Sequence, residues 1–340
     1  MAGWIDGSMG QLRVSVVIPA RNEREALPAL IRSIEAQSLA PDEVIVADGM
    51  SQDGTREWLD KACTVRPWLR MVDNPARTIS PALNAAIAAA QGPLVARMDA
   101  HAVYAEDYLQ QLVHVFESDE TVVAAGGMMS TEGRGAWGAA IATVLRRRFG
   151  LGGAGHRIGG ASGPVDHTFS PMYLKQAVID VGGFDESMLA NEDFELDHRL
   201  RQAGGTVWLE ASATCTWFTR DSLFDTARQM RRYGSFKART LWLWPRSLRL
   251  RQLAPPTLIL GLLLAPLRSR RLGGGVWGTY LGTCAFLAVR AARADGSSAI
   301  RAAAVVPVVH LSWGAGLLAG IWTHRRPRRS QPDGHYAAEP

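Results

Sequence analysis

Cysteine is scarce: the 340-residue chain has three, Cys63, Cys215 and Cys284, far apart and with no CxxC spacing. That argues against a zinc site or a disulfide framework and suits a reducing, cytosolic setting. The opening residues, MAGWIDGSMGQLR, lack a basic stretch followed by an apolar run. No signal peptide is therefore expected, and the N-terminal half is expected to stay in the cytoplasm. Glycine is missing from PARNE, the turn after the first apolar run, and the glycine-rich stretch GLGGAGHRIGGASGP at 150–164 has neither GxGxxG behind a strand nor GK[ST]. Dinucleotide and P-loop readings fall away, and a loop that orders over a site when substrate arrives is the expected use of that stretch. Acids are nearly absent from the C-terminal part. Residues 228–329 hold 18 Lys and Arg and one acid, Asp295, whereas residues 1–227 hold 19 basic and 29 acidic residues.

What is present divides in the same way. From Val14 onward, short apolar runs (VSVVI, EVIVAD, RMV, PLVARMD) alternate with helical patterns at 24–37, from about Thr55, and at about 80–91. This rhythm predicts an α/β fold with a doubly wound, mostly parallel sheet and flanking helices. Ligands of such sheets bind beyond the carboxyl ends of the strands, which directs attention to 19–23, 48–55 and 99–101. Beyond Arg228 the texture becomes basic and aromatic, with Tyr233, Phe236, Trp242 and Trp244, as suits a helix in a headgroup region. Three uncharged apolar stretches follow. Leu253–Leu267 has 15 residues and three prolines, Leu272–Val289 has 18, and Ala302–Trp322 has 21. A span needs roughly 20, so the last two are expected to cross a membrane and the first to be interfacial or re-entrant. Two spans keep Arg268–Arg271 and Arg325–Arg329 on the cytoplasmic side. The expected anionic partner of this half is a phospholipid surface; nucleic acid is not expected, since no nucleic-acid motif accompanies the charge.

Two segments carry candidate chemistry. Asp99 follows an apolar run and is trailed by His101. A carboxylate there can hold Mg²⁺ or Mn²⁺ with open positions for phosphate oxygens, and His101 can serve as second ligand or as phosphate donor. Taken alone, the segment serves equally well as a capped turn. NEDFELDHRLRQAGG gathers Glu192, Asp193, Glu195 and Asp197 at the start of a helix ended by Gly204 and Gly205. The helix dipole favours acids there without any catalytic role, yet one of them facing a substrate hydroxyl would be a general base. DGMSQDGT reads locally as a strand-to-helix turn, with Asp53 or Thr55 as cap and Gly49 and Gly54 at positive φ.

In order, VSVVIPARNE, EVIVADGMSQDGT, ARMDAH, GGFDE, NEDFELDHRLRQAGG and QMRRY resemble a family 2 glycosyltransferase over about residues 12–240, in particular the branch of succinoglycan glucosyltransferases of bacterial exopolysaccharide synthesis. The resemblance implies a GT-A fold and an inverting transfer from a nucleotide-sugar donor, a UDP-linked hexose, assisted by Mg²⁺ or Mn²⁺. It implies that Pro19, Arg21 and Glu23 line the nucleotide pocket and Asp48 contacts the base. Asp99 stands at the first position of the Asp-x-Asp metal motif and Asp193 at the catalytic base, next to Glu192. Gln229, Arg232 and Tyr233 stand at the Gln-x-x-Arg-Trp positions associated with acceptor and diphosphate. His101 replaces the second metal-motif Asp, and Tyr233 replaces Trp. The implied organisation is an extension at 1–11, a GT-A catalytic domain at 12–227, a basic and aromatic interfacial segment at 228–267, spanning helices at 268–324 and a cytoplasmic tail at 325–340. A lipid-linked saccharide is the acceptor expected at the membrane. Polyprenyl phosphate is the alternative acceptor, and a membrane-tethered binder with a degenerate site is the non-enzymatic alternative.

Overall fold

The computed structural model describes residues 13–152 and 155–325. The N-terminal extension expected at 1–11 and the tail from 326, with most of the arginine cluster expected there, lie outside the described residues. The chain divides into two compact units, one comprising 13–130 and 155–217, the other 131–152 and 218–325.

The first unit is built on a sheet whose strands are β1 (Val14–Ala20), β2 (Glu43–Asp48), β3 (Leu69–Asp73), β4 (Leu94–Arg97), β5 (Ala102–Tyr104), β6 (Val122–Glu132), β7 (Gly163–Pro164), β8 (Phe169–Leu174) and β9 (Thr206–Phe218). Their order is β3-β2-β1-β4-β8-β6-β9-β5, with β7 paired to β9. β1 runs parallel to β2 and β4, and β2 parallel to β3. The pairs β4–β8, β6–β8, β5–β9 and β7–β9 are antiparallel. The α/β sheet with crossover helices is thus the one the apolar rhythm predicts, and its second half turns antiparallel where the strand-helix alternation in the sequence stops.

The central parallel strands β1 and β2 are buried along almost their whole length, as expected of a sheet covered on both faces. Val14, Val16, Val17 and Ile18 of β1 and Val44, Ile45 and Val46 of β2 are fully buried, each contributing about 1.5–3 kcal/mol relative to exposure. The crossover helices are Leu27–Glu35, Thr55–Val65 and Ile79–Ala89. The first begins three residues later than the periodicity predicts. Pro28 sits in its first turn, where a missing N–H costs nothing, and the preceding backbone is engaged elsewhere: Asn22 N–H donates to Ser51 Oγ (2.8 Å), Glu23 N–H to Thr55 Oγ1 (3.0 Å) and Arg24 N–H to Asp53 Oδ2 (3.1 Å). Register pairs Ala20 with Asp48, Asp48 with Asp73, and Val17 with Arg97, so the ends of β1 to β4 open on one edge.

The second unit is helical. Leu223–Leu243 packs on Ala299–Thr323 through glycines that leave no room for a side chain: a Cβ on Gly234 would collide with the Trp313 carbonyl oxygen, and one on Gly316 with that of Arg231. Close approach through small residues maximises van der Waals contact between apolar helices. Asp295 accepts from Arg146 (2.8 Å) and Arg147 (2.5 Å). Three helices here, Leu250–Arg268, Arg270–Asp295 and Ala299–Thr323, are long and apolar enough to cross a membrane, one more than the two expected from the sequence.

Candidate active site

The loops after β1 and β2 are stitched into one wall. Asp53 accepts from Thr55 Oγ1 (2.5 Å), the Thr55 amide (3.1 Å) and the Arg24 amide. Burial opposes its ionisation, but these hydrogen bonds hold its carboxyl below the usual range. Its role in the turn is structural. Gly54 does have positive φ, +90°. Gly49 is outside the left-handed region and is small for another reason: a Cβ there would come within 3.0 Å of the Arg21 side chain.

Asp48, at the end of β2, is fully buried. Oδ2 takes the Ser51 amide (3.1 Å) and Arg56 Nη1 (2.7 Å), and Arg56 also reaches Asp73 (2.8 Å). Oδ1 is buried and has no hydrogen-bond partner. A buried, unsatisfied carboxylate oxygen is costly, and at a strand's carboxyl end it is an acceptor held ready for a ligand N–H. Pro19 lies within β1, Arg21 directs Nη1 to the Arg77 carbonyl (3.4 Å), and Glu23 Oε1 is 3.6 Å from His101 Nδ1.

A charged cluster lies at the end of β4. Arg97, 5% exposed, directs Nε to Asp99 Oδ1 (3.1 Å) and Nη1 to Glu192 Oε1 (3.1 Å), with Asp193 Oδ2 at 3.9 Å. One buried guanidinium therefore gathers three carboxylates, from the strand end and from the start of the helix Glu192–Gln202. That helix begins at Asn191, held at φ +59°, and its first-turn acids complement its dipole. The Asp99 backbone is fixed by donation from its N–H to the Tyr104 hydroxyl (2.9 Å), which is hydrogen-bonded to Ser170. His167 also approaches Asp193, with Nε2 at 3.8 Å from the same Oδ2 and Nδ1 at 2.8 Å from Asp197 Oδ2.

Environment separates the two adjacent acids. Burial, then the charge of Asp193, push Glu192 up to about 7 against the pull of Arg97. Asp193 is lowered: burial opposes ionisation, but His167, Arg97 and the Phe194 amide outweigh it. A neighbouring pair with acidities driven apart is the arrangement that assigns a proton carrier and an anion within one site.

No group of three or more His, Cys, Asp or Glu able to hold a metal occurs among the described residues. The donor set fits instead a cation that takes most of its ligands from substrate phosphate and water, as Mg²⁺ and Mn²⁺ do. Asp99 spends Oδ1 on Arg97 (3.1 Å), and His101 is partly exposed.

Asp48, Asp99, Glu192 and Asp193 thus lie in the first unit with Pro19, Arg21, Glu23 and His101. Gln229, Arg232 and Tyr233 lie on the helix Leu223–Leu243 of the second, where the Gln229 amide donates to the Tyr233 hydroxyl (3.1 Å) and Arg232 is exposed. Sequence reasoning overlooks Arg97 and His167 and gives Asp197 no task. A lone arginine in the apolar run PLVARMD was a signal for Arg97, and the four-residue spacing that puts Asp193 and Asp197 on one helix face was a signal for Asp197. Nothing local marks His167.

The model of the family described as "Glycosyl transferase family 2" matches residues 15–182. Succinoglycan biosynthesis protein ExoA of Rhizobium meliloti (strain 1021) is 33% identical over 323 residues, 92% of this chain and 96% of that protein. Uncharacterized glycosyltransferase YfnE of Bacillus subtilis (strain 168) is 31% identical over 118 residues, 34% of this chain and 30% of that protein. Among solved structures, mannosyltransferase PcManGT from Pyrobaculum calidifontis, in complex with GDP-Man and Mn2+, shares the fold at 18% identity and a TM-score of 0.59, covering 92% of this chain and 87% of that one.

Proposed function

Because the chain belongs to glycosyltransferase family 2, we propose that it moves a hexose, with inversion, from a nucleotide-sugar donor to a lipid-linked saccharide at the cytoplasmic face of the cell membrane, in exopolysaccharide synthesis. The carrying observation is the cluster in which Arg97 gathers Asp99, Glu192 and Asp193 at the carboxyl end of β4. The relative named for succinoglycan biosynthesis supports the pathway class. The neighbour solved with GDP-Man and Mn2+ supports a nucleotide sugar and a divalent cation. The apolar helices Leu250–Arg268, Arg270–Asp295 and Ala299–Thr323 support membrane attachment. The 12–227 segment is then the catalytic domain, and the basic residues from 228 onward bring it to a lipid surface.

Each residue has a task under this reading. Asp48 Oδ1 accepts a hydrogen bond from the nucleobase, beside Pro19, Arg21 and Glu23. Asp99, with His101 as second ligand, would hold Mg²⁺ or Mn²⁺, which when bound neutralises charge on the leaving nucleoside diphosphate. Asp193, ionised and flanked by Arg97 and His167, takes the proton from the acceptor hydroxyl as its oxygen attacks the anomeric carbon opposite the leaving group; this geometry inverts the centre. Glu192 adjoins the acceptor. By resemblance to the family's Gln-x-x-Arg-Trp motif, Gln229, Arg232 and Tyr233 are assigned to the acceptor and the diphosphate, a guanidinium such as that of Arg232 being suited to phosphate oxygens.

The test is a panel of nucleotide sugars with Mg²⁺ or Mn²⁺ on membrane fractions, scored by release of nucleoside diphosphate and by the lipid product. Asp193→Asn is expected to lower turnover by about 10²–10⁴-fold, the usual contribution of a general base, with donor binding kept. Retained turnover would overturn the assignment of the base. No donor consumed under any condition would favour a binding protein, and a product consisting of one sugar on polyprenyl phosphate would reassign the acceptor.

A further inference from the structure

The proposed reaction gives Asp193 a task but leaves His167 without one. His167 lies between β7 and β8, and each of its ring nitrogens faces a different carboxylate: Nδ1 is 2.8 Å from Asp197 Oδ2, and Nε2 is 3.8 Å from Asp193 Oδ2. The two acids are four residues apart on the helix Glu192–Gln202, hence stacked on one face, and the imidazole bridges them from outside the helix. A histidine kept only for packing needs one partner. This one has two, and the second is the proposed base.

The Asp197 side is rigid. Asp197 is fully buried and also accepts from the Tyr173 hydroxyl (3.2 Å) and the Thr168 amide (3.4 Å). Its carboxylate therefore fixes the proton on Nδ1 and the plane of the ring, as an orienting acid does for a histidine in other sites. The ring edge meets His156 at a centroid distance of 5.5 Å and Phe194 at 5.8 Å. The charged and titratable groups facing His167 are Asp193 and Asp197 from the helix, Arg97 from β4, and His156 from the segment Gly155–Ile158, with Tyr173 of β8 bound to Asp197 behind it. Burial and the nearby Arg157 hold His156 well below the usual imidazole range, so it adds no positive charge at neutral pH.

We propose that His167 is the positioning residue of the base: anchored by Asp197, it presents an Nε2–H to Asp193 and keeps that carboxylate aimed and ionised. The proposal rests on Asp193 being the base. It adds that the acid limb of the reaction is set by a side chain that touches no substrate. The electrostatics run the same way. Burial disfavours the imidazolium, yet the two carboxylates raise His167 above its ordinary range, and His167 is the largest influence lowering Asp193. With His167 protonated, Asp193 stays ionised as pH falls; with His167 neutralised or removed, Asp193 protonates at higher pH and the base is lost sooner.

The experiment measures kcat and donor KM against pH for the full-length protein in membranes, using whichever donor the panel identifies. His167→Gln keeps an amide donor for Asp197 but carries no charge. Its acid limb is expected to move up by about one pH unit, the lower end of the effect of a neighbouring charge, so that kcat falls about tenfold on the acid side while the alkaline plateau and donor KM change less than about twofold. Asp197→Asn, which weakens the anchor alone, is expected to move the limb in the same direction by less, and it serves as the test if His167→Gln does not accumulate. An unmoved acid limb in either variant, with Asp193→Asn inactive, overturns the role of His167 and leaves the base assignment standing. Turnover retained in Asp193→Asn overturns both.

Discussion

The two units handle charge in opposite ways. In the first, the decisive cation is turned inward: Arg97 is 5% exposed and holds three carboxylates within 3.1–3.9 Å. In the second, the only acid between 228 and 325 is Asp295, already paired with Arg146 and Arg147. Arg246, Arg268, Arg270 and Arg271 are exposed, and so are Leu260, Leu263, Leu264 and Leu267 between them in the chain. Burying an ion costs several kcal/mol unless it is fully paired, so a buried cluster of this kind marks a candidate functional site. The second arrangement has the composition of a surface that meets an anionic bilayer.

The largest effect is expected at Arg97. Arg97→Met removes the one guanidinium among the clustered acids and is expected to cost about 3–5 kcal/mol, the penalty for leaving buried charges unpaired. Denaturant or thermal unfolding in detergent measures it, and Arg97→Lys should recover part of the loss. A variant as stable as the parent would mean that the cluster is solvated and not buried.

A smaller effect sharpens the same contrast. Glu192 is raised from 4.5 to about 7, so the folded protein binds more protons than the unfolded chain across that window. Its contribution to stability is therefore largest below pH 4.5 and declines as pH rises to about 7, by on the order of 3 kcal/mol. Glu192→Gln is expected to flatten that slope in unfolding experiments run from pH 5 to 7.5. A slope unchanged by the substitution would place the titrating group elsewhere.

The smallest effects belong to the second unit. Replacing Arg268, Arg270 and Arg271 with Gln is expected to weaken binding to phosphatidylserine vesicles by about 1 kcal/mol per arginine, with the loss shrinking at high salt. Binding that ignores both the substitutions and the salt would assign attachment to the apolar helices alone.

Much of the first unit was legible because parallel strands buried on both faces leave near-continuous apolar runs, and VSVVI and EVIVAD are such runs. The antiparallel half was less so. β6 and β9, 11 and 13 residues long, pair across the chain without crossover helices to announce them. Asp99 and Asp193 were visible as acids in motifs, and Asp53 and Gly49 were visible as turn residues. What each does locally emerged only from its partners: Asp53 ties Arg24 to Thr55, and Gly49 makes room for Arg21.

Sequence alone determined the family, the α/β sheet, the acids of the motifs and the separation of an acidic front from a basic, apolar back. These are properties of residue type and order along the chain. Tertiary structure decided which acids share a cation and which faces a histidine. Arg97 meets Glu192 across 95 positions and His167 meets Asp197 across 30. Distances across folded space decide electrostatics, burial multiplies them, and neither is written in local spacing.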